Sequence, residues 1–234
     1  MIKTTIFDLD DTLFNSTELS TQARRSAIRA MVDLGLPMSF NKAYQVLQEV
    51  VKEYGSNYDK HFDQMLKRVK IKSSKMKLYV SAGIIAYHDT KYVNIRPFHD
   101  VIPTFIELKK LEIKICVLTD GDAIKQYEKI LRLRLQNFLE DIIITEEVGI
   151  RKPNPKLFEL ALQRLNVKPD ETIYIGDNYK RDIVPCMKLG ILSVLVHRGG
   201  KHNHAYFKQD QNPPDYDLSD LTNLISIIKE MNKK

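Results

Sequence analysis

With 234 residues, 43% of them hydrophobic, the chain is long enough for one large α/β domain or for a core domain carrying a smaller insertion. No apolar run reaches the roughly 20 residues of a membrane span, and the first residues lack the basic flank and apolar core of a signal peptide, so a cytoplasmic protein without membrane contact is expected. The formal charge of +6 comes from 36 basic residues scattered among 30 acidic ones, with no arginine-rich arm, which argues against nucleic acid and suits a small anionic substrate.

The first element, KTTIFDLD, reads as a buried strand that closes on Asp8 and Asp10, with Asp11 directly after. Clustered carboxylates repel one another and form strands poorly, so these three point to a cation or a reaction. On a regular strand residues i and i+2 share a face, which would set Asp8 beside Asp10 and push one carboxyl up. From about Asn15 to Arg96 the pattern turns helical, in LSTQARRSAIRAMVDLG, FNKAYQVLQEVVKEYG and SKMKLYVSAGIIAYHDTKY. This stretch is far longer than a crossover and reads as an inserted helical domain over 15–96, left near Pro97, with 1–14 and 97–234 forming the core. Arg24 and Arg25, on the first of these helices, are read as part of a solvated face.

PFHDVIPTFIELKKL then leads back as a helix, and the strands IKICVLTD, DIIITEE, TIYIGD and ILSVLVH alternate with the helical patterns AIKQYEKILRLRL, PKLFELALQRLNV and DIVPCMKLG. The alternation predicts an α/β fold: a Rossmann-like parallel sheet with helices on both faces, carrying the inserted α-helical domain. HRGGKHNHAYFKQDQNPPD reads as a long loop in which His197, His202 and His204 are solvated rather than zinc-bound. DLSDLTNLISIIKEM reads as the closing helix, capped by Asp217 or Ser219. Cys116 and Cys186, each among apolar neighbours, are expected as buried free thiols.

Ligands of open α/β sheets bind beyond the carboxyl ends of the strands. There the sequence delivers Asp8, Asp10, Thr119 and Asp177, and in the loop after DIIITEE it delivers Lys152. Pro153 restricts Lys152 to extended backbone, Asn154 is placed to cap the next helix and Pro155 to start it. Asp182 falls in a first helical turn, where the dipole favours a carboxylate, and Pro185 fits the same turn.

DLDDT, LTDG, KPNP and GDNYKRD, in this order and spacing, resemble the four motifs of the haloacid dehalogenase superfamily, and the insertion after the first motif resembles that family's helical C1 cap. The resemblance implies a Mg²⁺-dependent phosphatase working through an aspartyl phosphate. In it Asp8 is the nucleophile, and Asp10 is the acid and base, its backbone carbonyl on the metal and its side chain turned away. Asp8, Asp10 and Asp177 would hold Mg²⁺, with Asp182 ligating through water or orienting Lys152. The Thr119 hydroxyl and the N–H groups of Asp120 and Gly121 would bind the phosphate, whose charge Lys152 offsets. Asp120 stands where many relatives have Asn, Ser or Gly, and is a candidate specificity residue. Asp11 is read as scaffold. An acid two residues after the nucleophile favours phosphate esters over halides, while a phosphomutase of the same superfamily and a non-catalytic binding protein stay open. A C1 cap restricts entry to small molecules. EEVGIRKPNPKLFELAL resembles a subgroup acting on sugar, triose and glycolate phosphates, which puts glyceraldehyde 3-phosphate first, in a monomer or homodimer.

Overall fold

The computed structural model describes residues 1–56, 58–71, 74–199 and 212–233. The chain divides into two compact units, Met1–Thr17 with Arg96–Lys234, and Glu18–Ile95.

The first unit is built on a six-stranded, wholly parallel sheet in the order β3-β2-β1-β4-β5-β6. Its strands are β1 (Thr4–Phe7), β2 (Lys114–Thr119), β3 (Asp141–Ile144), β4 (Thr172–Gly176), β5 (Leu192–Val196) and β6 (Tyr216–Leu218). All of β1 and β4 is buried, as expected of central strands covered on both faces. Phe7 lies level with Val117 on one side and Ile175 on the other, so the residues following β1, β2 and β4 emerge at one edge. One body of the core packs Ile6, Cys116, Leu118, Ile143 and Tyr174 of the sheet against Leu157, Phe158 and Ala161. Both cysteines are buried and free, and burial pushes both thiols well up.

Helices of this unit are α5 (Val101–Lys110), α6 (Ala123–Arg132), α7 (Thr145–Val148), α8 (Pro155–Leu165), α9 (Val184–Leu189) and α10 (Leu224–Lys233). Three expectations change. TEE of DIIITEE leaves the strand and opens α7, with Glu146 and Glu147 in its first turn, where the helix dipole favours carboxylates. The closing helix starts at Leu224, whereas Asp217 belongs to β6, an edge strand whose three residues are too few to show a period. There Asp217 pairs with His197, while His202 and His204 lie outside the described residues.

The second unit holds α1 (Ser16–Asp33, entered from the first unit), α2 (Phe40–Tyr54), α3 (His61–Arg68) and α4 (Met76–Asn94). Ala27, Ile28, Met31, Leu47, Val50, Phe62, Met65 and Leu66 form its core. Ser39 caps α2 through the N–H of Lys42. Arg25 is exposed, as expected of a solvated face, and its guanidinium lies over the rings of Phe40 and Tyr44. Among the described residues no helix is long and apolar enough to cross a membrane.

Candidate active site

β1 stops at Phe7, but the Asp8 N–H still donates to the Ile175 carbonyl at 2.9 Å, so Asp8 leaves the sheet in a fixed direction. Its Oδ1 accepts from Lys152 Nζ at 2.6 Å, and its Oδ2 lies 3.4 Å from the Thr12 hydroxyl. Lys152 Nζ also donates to Asp182 Oδ1 at 2.8 Å. All three groups are buried, with only 2% of the Lys152 side chain and 3% of that of Asp182 exposed. Burial alone would lower the Lys152 pKa, yet the two carboxylates outweigh it and hold the ammonium above its ordinary value.

Local sequence explains how Lys152 gets there. Asn154 accepts from the Lys156 N–H at 3.1 Å, and Pro155 occupies the first turn of α8, so the helix start is fixed two residues beyond the lysine. Asp182 is placed by a turn of π-helix over Tyr179–Ile183, whose extra residue per turn carries its side chain inward. It then accepts from Tyr174 OH and from the Asn178 N–H, both at 3.1 Å, so a nearly inaccessible carboxylate is fully hydrogen-bonded. This approach requires Gly176: a Cβ there would stand 2.6 Å from the Asp182 carboxyl carbon.

Carboxylate oxygens of Asp8, Asp177 and Asp182 lie within 4.8 Å of one another. Three carboxylates share one ammonium in a largely desolvated pocket, which opposes their ionisation. Burial raises Asp8 to about 7 despite Lys152, with Asp182 adding to the rise. Asp177, which pairs with no Lys or Arg among the described residues, is pushed to about 9 by burial and by Asp8.

Asp10 and Asp11 take different directions. A regular strand would set Asp8 beside Asp10, but the strand ends at Phe7 and the Asp10 side chain turns away, as the family resemblance implies. Both Asp10 carboxylate oxygens instead accept from Lys129 Nζ of α6, at 2.8 and 2.6 Å. Asp11 adopts a left-handed backbone, φ 60°, and is buried. Its carboxylate accepts from the Thr17 N–H at 2.8 Å and the Thr17 hydroxyl at 2.5 Å, capping the start of α1 from outside the helix.

Thr119 ends β2 with its hydroxyl donating to Gln126 Oε1 at 3.2 Å, and the Gly121 N–H donates to the Thr145 hydroxyl at 3.2 Å. Two of the three groups expected to receive phosphate thus have protein partners here. Asp120 accepts from the Lys152 N–H at 3.3 Å and pairs with Arg181, so it joins the loops after β2, β3 and β4. Sequence reasoning missed Lys129, Gln126, Tyr174 and Arg181. Gln126 alone left a signal, as a polar residue on the apolar stripe it shares with Ile130 and Leu133.

The sequence profile of haloacid dehalogenase-like hydrolases matches residues 5–196. The chain is 43% identical over 235 residues to the glyceraldehyde 3-phosphate phosphatase of Methanopyrus kandleri, covering 100% of both chains. It is 40% identical over 233 residues to the protein of the same name from Methanocaldococcus jannaschii, again covering 100% of both. Among solved structures, a HAD phosphatase from Thermococcus onnurineus superposes with a TM-score of 0.66 at 22% identity, over 97% of this chain and 98% of that one. For a putative beta-phosphoglucomutase from Thermotoga maritima the TM-score is 0.70 at 19% identity, over 98% and 99%. These two show a shared fold, and the profile match, with the full-length relatives, goes further: this chain belongs to the haloacid dehalogenase-like hydrolase family.

Proposed function

We propose that this protein is a Mg²⁺-dependent phosphatase of small phosphate monoesters, with glyceraldehyde 3-phosphate as its first candidate substrate, and that Asp8 is its nucleophile. The observation that carries the reading is the ammonium of Lys152 at 2.6 Å from Asp8 Oδ1, which fixes one oxygen and leaves the other to attack. Glyceraldehyde 3-phosphate enters because full-length relatives at 43% and 40% identity carry that name.

In the first step an Asp8 oxygen attacks phosphorus as the bond from phosphorus to the substrate oxygen breaks, and that oxygen takes the electron pair and a proton from Asp10. In the second, Asp10 accepts a proton from water, the water oxygen attacks phosphorus, and the bond to Asp8 breaks to free inorganic phosphate. Thr119 orients the phosphoryl oxygens and Lys152 offsets their charge, as Asp182 holds Lys152 in place. The clustered carboxylates and the oxygen-only donor set fit a hard divalent cation, which Asp8, Asp177 and the Asp10 carbonyl would hold, with Asp182 behind them. When bound, the ion would lower the repulsion between nucleophile and phosphate. The inserted helical unit is read as the cap that limits substrates to small molecules.

A phosphate-release screen over small metabolites, with Mg²⁺ and with EDTA, tests the reading. Glyceraldehyde 3-phosphate is expected among the best substrates and EDTA is expected to abolish release. Mg²⁺-independent turnover, or no release from any ester, would refute it.

Cation binding is also expected to depend on pH. Asp8 and Asp177 titrate above their ordinary value of 3.8, at about 7 and about 9, so the folded state holds protons that the unfolded chain gives up. The metal-free protein therefore loses stability as pH rises from near 4 through 9. Mg²⁺ competes with those protons. Its melting shift, roughly 5–10 °C at a hundredfold excess over Kd, is expected at pH 8 and should be much smaller at pH 5, by scanning calorimetry.

A further inference from the structure

Asp10 is held by a residue that none of the four motifs contains. Lys129 of α6 bonds both oxygens of the carboxylate, and only 18% of its side chain is exposed. Its ammonium also reaches Gln126 Oε1 at 3.3 Å, one helical turn earlier on the same face. That oxygen is the acceptor of the Thr119 hydroxyl at 3.2 Å. Gln126 is itself buried, and Gly121 leaves room for it: a Cβ at Gly121 would stand 2.4 Å from Gln126 Nε2. A buried amide on the apolar side of a helix is costly unless its hydrogen bonds are used, and here they connect two residues of the candidate site.

We propose that Lys129 and Gln126 are positioning residues that couple phosphate binding at Thr119 to the direction of the Asp10 carboxylate. The proposal rests on the phosphatase reading above and deepens it. Thr119 has one hydroxyl proton to donate. With no phosphate present it goes to Gln126. An arriving phosphoryl oxygen is a charged and stronger acceptor, so the hydroxyl turns to it and Gln126 Oε1 keeps a single donor, Lys129. The ammonium then shifts toward Gln126 and keeps only one Asp10 oxygen, which aims the other, once it has taken a proton from solvent, at the leaving-group oxygen. Apart from that one proton, supplied by solvent, no covalent bond forms or breaks in the hand-over. In the empty site Asp10 remains held, and the acid comes into position when a phosphate does.

The test compares two leaving groups in the full-length protein with Mg²⁺. Glyceraldehyde 3-phosphate needs its leaving oxygen protonated, whereas p-nitrophenyl phosphate releases a stable phenolate without a proton. Lys129→Met is expected to lower kcat on the alkyl ester roughly tenfold or more and on the aryl ester less than about threefold, with KM for both little changed. Lys129→Arg should recover most of the alkyl activity, and Gln126→Leu should show the same selective loss, smaller in size. Equal losses on both esters, no loss on either, or a change confined to KM would overturn the proposal. Should Lys129→Met fail to fold by circular dichroism, Gln126→Leu decides by the same ratio. If the wild type hydrolyses neither ester, the phosphatase reading itself falls; if it hydrolyses both and the ratio never moves, the coupling alone does.

Discussion

Asp8→Asn is expected to cut phosphate release by a factor on the order of 10⁴ or more, because an amide oxygen neither attacks phosphorus nor leaves in the second step. The same change should make the metal-free protein melt higher. It removes one of three carboxylates crowded within 4.8 Å, one that burial already holds near 7, and it leaves Lys152 its bond to Asp182. A gain in stability with a loss of activity is the signature of a site strained for its chemistry. Steady-state kinetics and calorimetry in EDTA check both halves. Full activity in Asp8→Asn would remove the nucleophile, and a lower melting point in EDTA would show that the Asp8 to Lys152 pair outweighs the repulsion around it.

Lys152→Met is expected to be the most destabilising single change at the site, by about 3–5 kcal/mol, or roughly 6–20 °C in melting temperature. The side chain keeps its volume but leaves Asp8 and Asp182 facing one another without their shared cation. Tyr174 and the Asn178 N–H still bond Asp182, so the damage falls chiefly on Asp8. The sign with pH follows. A raised Lys152 keeps its proton, and so its contribution, throughout the neutral range and loses it only above the ordinary lysine value of 10.5. In the variant the stranded carboxylates recover stability only by protonation, so its deficit should shrink as pH falls from 8 toward 5. Urea denaturation at three pH values measures this, and a deficit independent of pH would mean that lost packing, not charge, is responsible.

The parts of this molecule legible in its sequence are those whose physics is local. KICVLT and TIYIG are strands because they are apolar and β-branched between polar punctuation, and Asn154 with Pro155 states a helix start outright. The clustering of Asp8, Asp10 and Asp11 announced chemistry before any fold was known. What stayed hidden depends on neighbours far along the chain. Lys129 lies 119 residues from Asp10, and nothing in AIKQYEKILR separates it from any other solvated lysine of an amphipathic helix. Arg181 looks like an ordinary helix-surface cation until the loop bearing Asp120 is brought beside it. β6 is three residues long, below the length at which alternation can be seen, and α3 is eight residues between two stronger patterns.

The strand order carries a consequence for synthesis. β1 is the first strand made and occupies the middle of the sheet, yet both of its partners come late: Thr4 pairs with Lys114 on one side and with Thr172 on the other. A nascent chain must therefore emerge through about residue 176 before the central strand is flanked and the carboxylates behind it meet Asp177. Until then an apolar segment ending in repelling charges waits without its hydrogen-bonding neighbours, while α1 to α4, whose contacts are short in sequence, are free to condense on the ribosome. A ribosome stalled ahead of Gly176 would display a folded helical unit on an unfinished sheet, and chaperone contacts should concentrate on the residues around Ile6 and Phe7.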